Sequence, residues 1–207
     1  RHCWGRVWID GLAGPSEVLI IADETADPAS IAADLLAQAE HDPVSRSILI
    51  STNQSIAEET LKAVSTQLEA LPTREIARTS WENQGGVGVC TLNEAIAYAN
   101  QIAPEHLELA IKNPREALIR CTAYGAAFLG HHSAEVFGAY LAGTNHTLPP
   151  LSRARYSGGV WTGSFLRPLT HLELSREGAS SLSSEGALIA DTEGLAGHAV
   201  ALRARGG

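Results

Sequence analysis

Along the first two-thirds of the chain, short apolar runs alternate with segments whose apolar positions recur every three or four residues. Glu17 to Ala22 (EVLIIA) is one such run, and its lack of polar alternation predicts a strand buried on both faces. Asp27-Pro28 then supplies a helix cap and a first-turn proline, and Ile31, Leu35 and Ala39 recur at helical spacing through SIAADLLAQAEH. Residues 47–51 (SILIS) predict a second strand. Residues 55–71 predict a long helix with Ile56, Leu61, Val64 and Leu68 on its apolar face. Val87 to Cys90 predicts a third strand, and Thr91-x-x-Glu94 is a capping box ahead of EAIAYANQI. Pro104 keeps Ala103 out of the helical region and so ends that helix. Strands at 107–111 and 126–129, a helix opened by Asn113-Pro114 and another at about 134–141 complete the alternation. Arg6 to Ile9 also reads as a strand, so the chain is expected to begin inside its sheet and to leave a strand edge and a core face uncovered.

Strands alternating with helices predict an α/β layer with a mostly parallel sheet. After Pro149-Pro150 the pattern breaks, and from about Val160 the chain is Ser- and Gly-rich before a final helix-like stretch with Arg203 and Arg205. That segment reads as an arm, giving a division into residues 1–160 and 161–207.

Composition narrows the picture further. A formal net charge of -8 disfavours a nucleic-acid partner, which needs clustered Lys and Arg. No apolar run approaches the ~20 residues that span a bilayer, so no membrane partner is expected. Cys3, Cys90 and Cys121 are odd in number and form no C-x-x-C pair, which fits a reducing cytoplasm. The chain has no Met, which predicts a piece of a longer protein.

The candidate chemistry is scattered. Gln38 and His41, three residues apart on one predicted helix, would share a face and could offer an amide oxygen and an imidazole to a metal. Such a pair is more often solvated or caps the next loop. Glu105-His106 falls where a helix gives way to a strand and could act as a general base and its helper; a surface pair at a strand entry fits the spacing equally well. His146, Glu193 and His198 are polar candidates without a spacing that fixes a role. Neither phosphate-cradling glycine fingerprint occurs.

Five strings carry more than their spacing: AGPSEVLIIAD (13–23), LLAQAEHDP (35–43), IAPEHLEL (102–109), GTNHTLP (143–149) and EGLAGHA (193–199). Together, and in this order, they resemble the histidinol dehydrogenase family. The resemblance implies an incomplete Rossmann-like layer followed by an arm that mediates a homodimer and crosses to the partner. It implies zinc ligands Gln38, His41 and His198, the acid–base pair Glu105 and His106, and substrate contacts at Ser16, Gln38, His41, His106, His146, Glu193 and His198. It implies NAD as cofactor, contacted by residues outside this chain, and oxidation of L-histidinol to L-histidine through the aldehyde. This polypeptide alone is then expected neither to bind NAD nor to oxidise L-histidinol. One position departs: where the family has an acidic ligand within a G-D-Y triplet, this chain reads Gly138-Ala139-Tyr140. Ala139 cannot ligate a metal, and Glu135, one helical turn earlier, is the nearest acidic substitute. The departure leaves two alternatives open: a related zinc and NAD dehydrogenase acting on a sulfonated diol, or a non-catalytic remnant of the family.

Overall fold

Six residues without a polar break, Glu17–Ala22 (β1), form the middle of a parallel sheet, and all six are buried. The computed structural model describes residues 7, 9 and 11–206. In order along the chain, the first unit holds β1, α1 (Pro28–Ala39), β2 (Arg46–Ser51), α2 (Gln54–Ala70), α3 (Arg74–Gln84) and β3 (Gly86–Val89). It continues with α4 (Leu92–Ile102), β4 (His106–Ala110), α5 (Pro114–Leu118), β5 (Ala126–Leu129) and α6 (Glu135–Tyr140). All pairings are parallel, and the strand order is β3-β2-β1-β4-β5. This is a doubly wound arrangement in which the order reverses beside β1.

Alternation along β1 explains why both faces are covered. Val18, Ile20 and Ala22 meet Leu35, Leu36, Leu49, Val64 and Leu68 on one side of the sheet. Leu19 and Ile21 meet Leu107, Leu109, Ile96, Ala99 and Ala117 on the other. With β2 and β4 flanking it, β1 has no uncovered edge or face; the edges of the described sheet are β3 and β5. The strand expected at Arg6 to Ile9 lies largely outside the described residues, where only Val7 shows an isolated bridge. Cys3 lies outside them too.

Local chemistry sets the helix ends. Asp27 caps α1 by accepting the Ser30 N–H at 3.0 Å, and the Thr91–Glu94 box closes reciprocally on α4. Ala103 leaves α4 by turning left-handed (φ 52°) and not by extending. In α2 the buried stripe is Ile56, Ala57, Thr60, Val64 and Leu68, so Thr60 takes the inward place expected of Leu61, which is 43% exposed. Helix α3 had no counterpart in the sequence reading. Only Ala77 and Ser80 of its eleven residues are buried, too thin an apolar stripe to mark a helix.

Residues 1–165 form one unit and residues 166–207 another. In the second unit, the Ser- and Gly-rich stretch is a 17-residue helix, α7 (Arg176–Thr192), capped by Ser175 and followed through Gly194 (φ 76°) by α8 (Ala196–Arg203). Ala187, Ala190 and Ala199 pack together with Leu202, small side chains that let the two helices approach closely. No helix among the described residues is long and apolar enough to cross a membrane.

Candidate active site

The parallel register that aligns Val18 with His106 places the amino ends of β1 and β4 side by side. Ser16-Glu17 and Glu105-His106 therefore meet at one edge of the sheet, where the carboxyl end of α1 also delivers Gln38. The Ser16 hydroxyl donates to Glu105 Oε2 at 2.8 Å, and the Glu17 N–H donates to the same oxygen at 3.1 Å. The Ser16 hydroxyl is also 3.5 Å from Gln38 Oε1. A hydroxyl has one hydrogen, so the shorter contact takes it. Gln38 is 2% exposed, and its Nε2 has no hydrogen-bond partner.

His106 is 3% exposed, and its Nδ1 lies 3.0 Å from the Glu17 carbonyl oxygen. A carbonyl only accepts, so Nδ1 carries the ring hydrogen and Nε2 carries the basic lone pair. That lone pair faces Glu135, whose Oε1 is 3.6 Å away, while Glu105 Oε2 is 3.8 Å from Nδ1. A proton gained at Nε2 would thus create an imidazolium between two carboxyl groups. Burial lowers the His106 pKa; Glu135 and the Glu17 carbonyl oppose this, and His146 and His41 add to it. Burial raises the Glu105 pKa, against the Ser16 hydroxyl, the Glu17 N–H, His146 and His41. A carboxyl group raised in this way holds its proton more readily than an exposed one, which suits it to acid–base work.

Close to Glu135 lie two acids that the sequence analysis does not single out, Glu108 and Asp34. Glu108 Oε1 accepts the Glu135 N–H at 2.7 Å. Burial and the proximity of Asp34 and Glu135 push the Glu108 pKa up to about 8, and burial and Glu135 push Asp34 up to about 6. The signals were periodic: Glu108 shares a strand face with His106, and Asp34 shares a helix face with Gln38.

A cleft of about 870 Å³ opens onto this edge, with Glu105 and His146 in its lining beside Leu148, Pro149, Pro150 and Tyr156. Ser16 thus stands next to both Gln38 and Glu105, Glu105 stands 3.8 Å from His106, and His41 and His146 lie within electrostatic reach of the pair. His41 is not on the helix with Gln38: α1 ends at Ala39, and His41 lies exposed just beyond it, its N–H donating to the Gln38 carbonyl at 3.4 Å. Glu193, the C-cap of α7, and His198, in α8, are exposed residues of the second unit.

For a metal, the donors present in one chain are few. Gln38 offers a buried amide and His41 an imidazole, Ala139 in α6 offers nothing, and Glu135 is turned toward His106. Among the described residues no group of three or more His, Cys, Asp or Glu side chains is placed to hold a metal ion.

Comparison with known proteins gives one answer. The family model for histidinol dehydrogenase matches residues 1–206. Histidinol dehydrogenase of Geobacter sulfurreducens is 48% identical over 94% of this chain and 46% of its own length, and that of Zymomonas mobilis is 43% identical over 99% and 48%. A crystal structure of histidinol dehydrogenase from Elizabethkingia anophelis superposes with a TM-score of 0.90 at 41% identity, covering 96% of this chain and 46% of the other. The chain spans about half the length of the curated relatives it matches. A match along its whole length, in sequence and in fold, places this chain in the histidinol dehydrogenase family.

Proposed function

We propose that this chain supplies the acid–base and substrate-binding part of an NAD-linked enzyme that oxidises L-histidinol to L-histidine in the cytoplasm. The observation that carries the reading is the Glu105–His106 pair, which is buried, hydrogen-bonded and set beside a cleft that Glu105 and His146 line. In this reading Glu105, which lines the cleft, exchanges protons with the substrate hydroxyl and with the water needed at the aldehyde stage, and His106 behind it serves as its helper. Ser16 and the Glu17 N–H keep Glu105 aimed, and the Glu17 carbonyl fixes the His106 tautomer. His146 and Glu193 contact the substrate.

NAD, contacted outside this chain, would accept the hydride. Zinc, where bound, would hold the substrate's amino alcohol and imidazole in place. Its ligands would be Gln38, His41 and, from a second copy, His198. A homodimer with exchanged arms is supported by the exposed apolar side chains of Leu182, Leu188, Ile189 and Val200 on the α7–α8 pair. Ala139 favours a second reading, in which a sulfonated diol replaces L-histidinol.

Calorimetric titration of the zinc-supplemented chain with L-histidinol, and separately with 2,3-dihydroxypropane-1-sulfonate, separates these readings. Saturable L-histidinol binding that weakens in Glu105→Gln is expected. Binding of the sulfonate alone would select the second reading, and binding of neither would sink both.

A further inference from the structure

Glu17 is 2% exposed, yet its carboxylate is fully engaged. The Leu151 N–H donates to Oε1 at 3.0 Å, the neighbouring Ser152 N–H lies close enough to favour the ionised form, and Arg46 Nη1 stands 3.4 Å from Oε2. Leu151 and Ser152 are consecutive non-glycine residues with positive φ, 55° and 62°, a conformation that L side chains avoid. Successive N–H groups in such a turn form a concavity for an anion, and here the protein's own carboxylate fills it.

The same turn rests against two glycines. A Cβ on Gly14 would stand 3.0 Å from Leu151 Cδ1, and one on Gly125 would stand 2.6 Å from the Glu105 carbonyl oxygen and 3.1 Å from Pro149 Cδ. Pro149, Pro150 and Arg153 of this turn line the cleft together with Leu12 and Gly14, and Arg153 Nη1 donates to the Leu12 carbonyl at 2.8 Å. The main chain of Glu17, meanwhile, holds Glu105 through its N–H and His106 through its carbonyl.

We propose that Glu17 is a positioning residue: its backbone fixes the Glu105–His106 pair while its carboxylate fixes the turn at Pro149–Arg153, so one residue sets the distance between the acid–base pair and the cleft wall. The Arg46 contact alone does not account for the burial, because Arg46 is 39% exposed and could be answered by a carboxylate in water. A carboxylate taken out of water needs several partners, and the turn supplies the N–H groups. The ligand arm of this proposal rests on the L-histidinol reading; the arm concerning the turn does not.

The test is amide hydrogen exchange in the 207-residue chain, comparing wild type with Glu17→Gln. Exchange at Leu151 and Ser152 should quicken about tenfold or more, while the amides of Ile20 and Leu107 change by less than about twofold. The dissociation constant for L-histidinol should rise about fivefold or more. Adding Ser152→Gly to Glu17→Gln should recover part of both effects, because glycine takes positive φ without strain; a residue that merely fills space would show no such rescue. Unchanged exchange at Leu151 and Ser152 overturns the proposal. If Glu17→Gln does not fold, Glu17→Asp, which keeps the charge and withdraws it from the turn, carries the same expectations and the same refutation. Absence of L-histidinol binding in the wild type would count against the substrate reading and leave the exchange result to decide Glu17.

Discussion

The two ends of the same parallel strands are built on opposite principles. At the carboxyl edge, Asp23 follows β1 and accepts the Lys112 N–H at 2.7 Å and the Thr25 N–H at 2.9 Å, while the Thr25 hydroxyl lies 3.0 Å from His131 Nε2. Burial raises the Asp23 pKa, but the hydrogen bonds from Lys112 and Thr25 outweigh it and the net shift is downward. At the amino edge, burial outweighs the hydrogen bonds, and Glu17 and Glu105 are both raised; Glu108, in the middle of β4 opposite Ile20, is raised by burial and by the acids beside it. Doubly wound sheets usually bind ligands outside the carboxyl ends of their strands, at the switch point. Here the carboxyl edge closes its own turns, and Glu105 and His106 sit together at the other edge. Burial makes the difference: Asp23 is only half-buried and its donors prevail, whereas Glu17 and Glu105 are buried and their donors do not offset the loss of water.

The largest effect that would break this contrast is on catalysis. A full-length chimera can be made by joining this chain to the portion of the Geobacter sulfurreducens relative that it leaves uncovered. In it, His106→Ala should lower kcat for L-histidinol by roughly 10²–10⁴-fold, the range for loss of acid–base assistance. His131→Ala, at the carboxyl edge, should stay within about twofold. Steady-state NADH formation measures both, and comparable losses would mean that the edges do not divide the labour.

Next in size is the pH response of the buried acids. Glu108 is neutral when folded up to about pH 8, and its ordinary value is 4.5. The folded chain therefore holds a proton that the unfolded chain releases. Stability from this group is present below the ordinary value and declines as pH rises toward 8. Glu108→Gln keeps an acceptor for the Glu135 N–H and removes the charge, so it should stabilise the chain at pH 8 and change little at pH 4. The raised value caps the gain at roughly 5 kcal/mol. Urea titrations at the two pH values would show it, and an equal gain at both would mean that the side chain is not held neutral.

A smaller effect concerns the metal. Ala139→Asp should raise zinc affinity by roughly tenfold or more in matched dimers of the chimera, judged from the losses that follow removal of supporting groups. Equal zinc affinities of parent and variant would mean that position 139 does not face the metal, and the proposed ligands Gln38, His41 and His198 would need replacing.

Much of this was legible in the sequence, for a reason that differs between fold and site. The unbroken apolar run of β1 and the 3.6-residue spacing of α1 express burial directly, so the strand–helix order could be read from them. Helix α3 could not, because it buries only Ala77 and Ser80, and α7 could not, because its buried face is built from small residues that read as loop. For the site, neighbouring words such as Glu105-His106 were visible, but partners brought in by strand register were not. Glu17 reaches Glu105 across 88 residues of chain and Leu151 across 134. Local spacing carries no trace of such contacts, although the period-two relation of Glu108 to His106 was there to be followed.

The smallest expected effect tests the carboxyl edge from its own side. The Asp23 pKa is lowered, so its folded value lies below the ordinary 3.8. Its contribution is present above 3.8 and is lost as pH falls through the folded value, the reverse of Glu108. Asp23→Asn keeps one oxygen for either the Lys112 or the Thr25 N–H and loses the charge that favours both. It should therefore destabilise the chain by on the order of 1 kcal/mol at pH 7, the scale of a hydrogen bond to a partly exposed group. The deficit should shrink as the wild-type carboxyl protonates, so that the two unfolding curves converge as pH falls below the folded value, itself under the ordinary 3.8. Thermal unfolding of both proteins from pH 7 to pH 2.5 is sufficient to see this. A deficit that grew on acidification would mean that Asp23 is held in its neutral form, and the two edges would then obey one rule and not two.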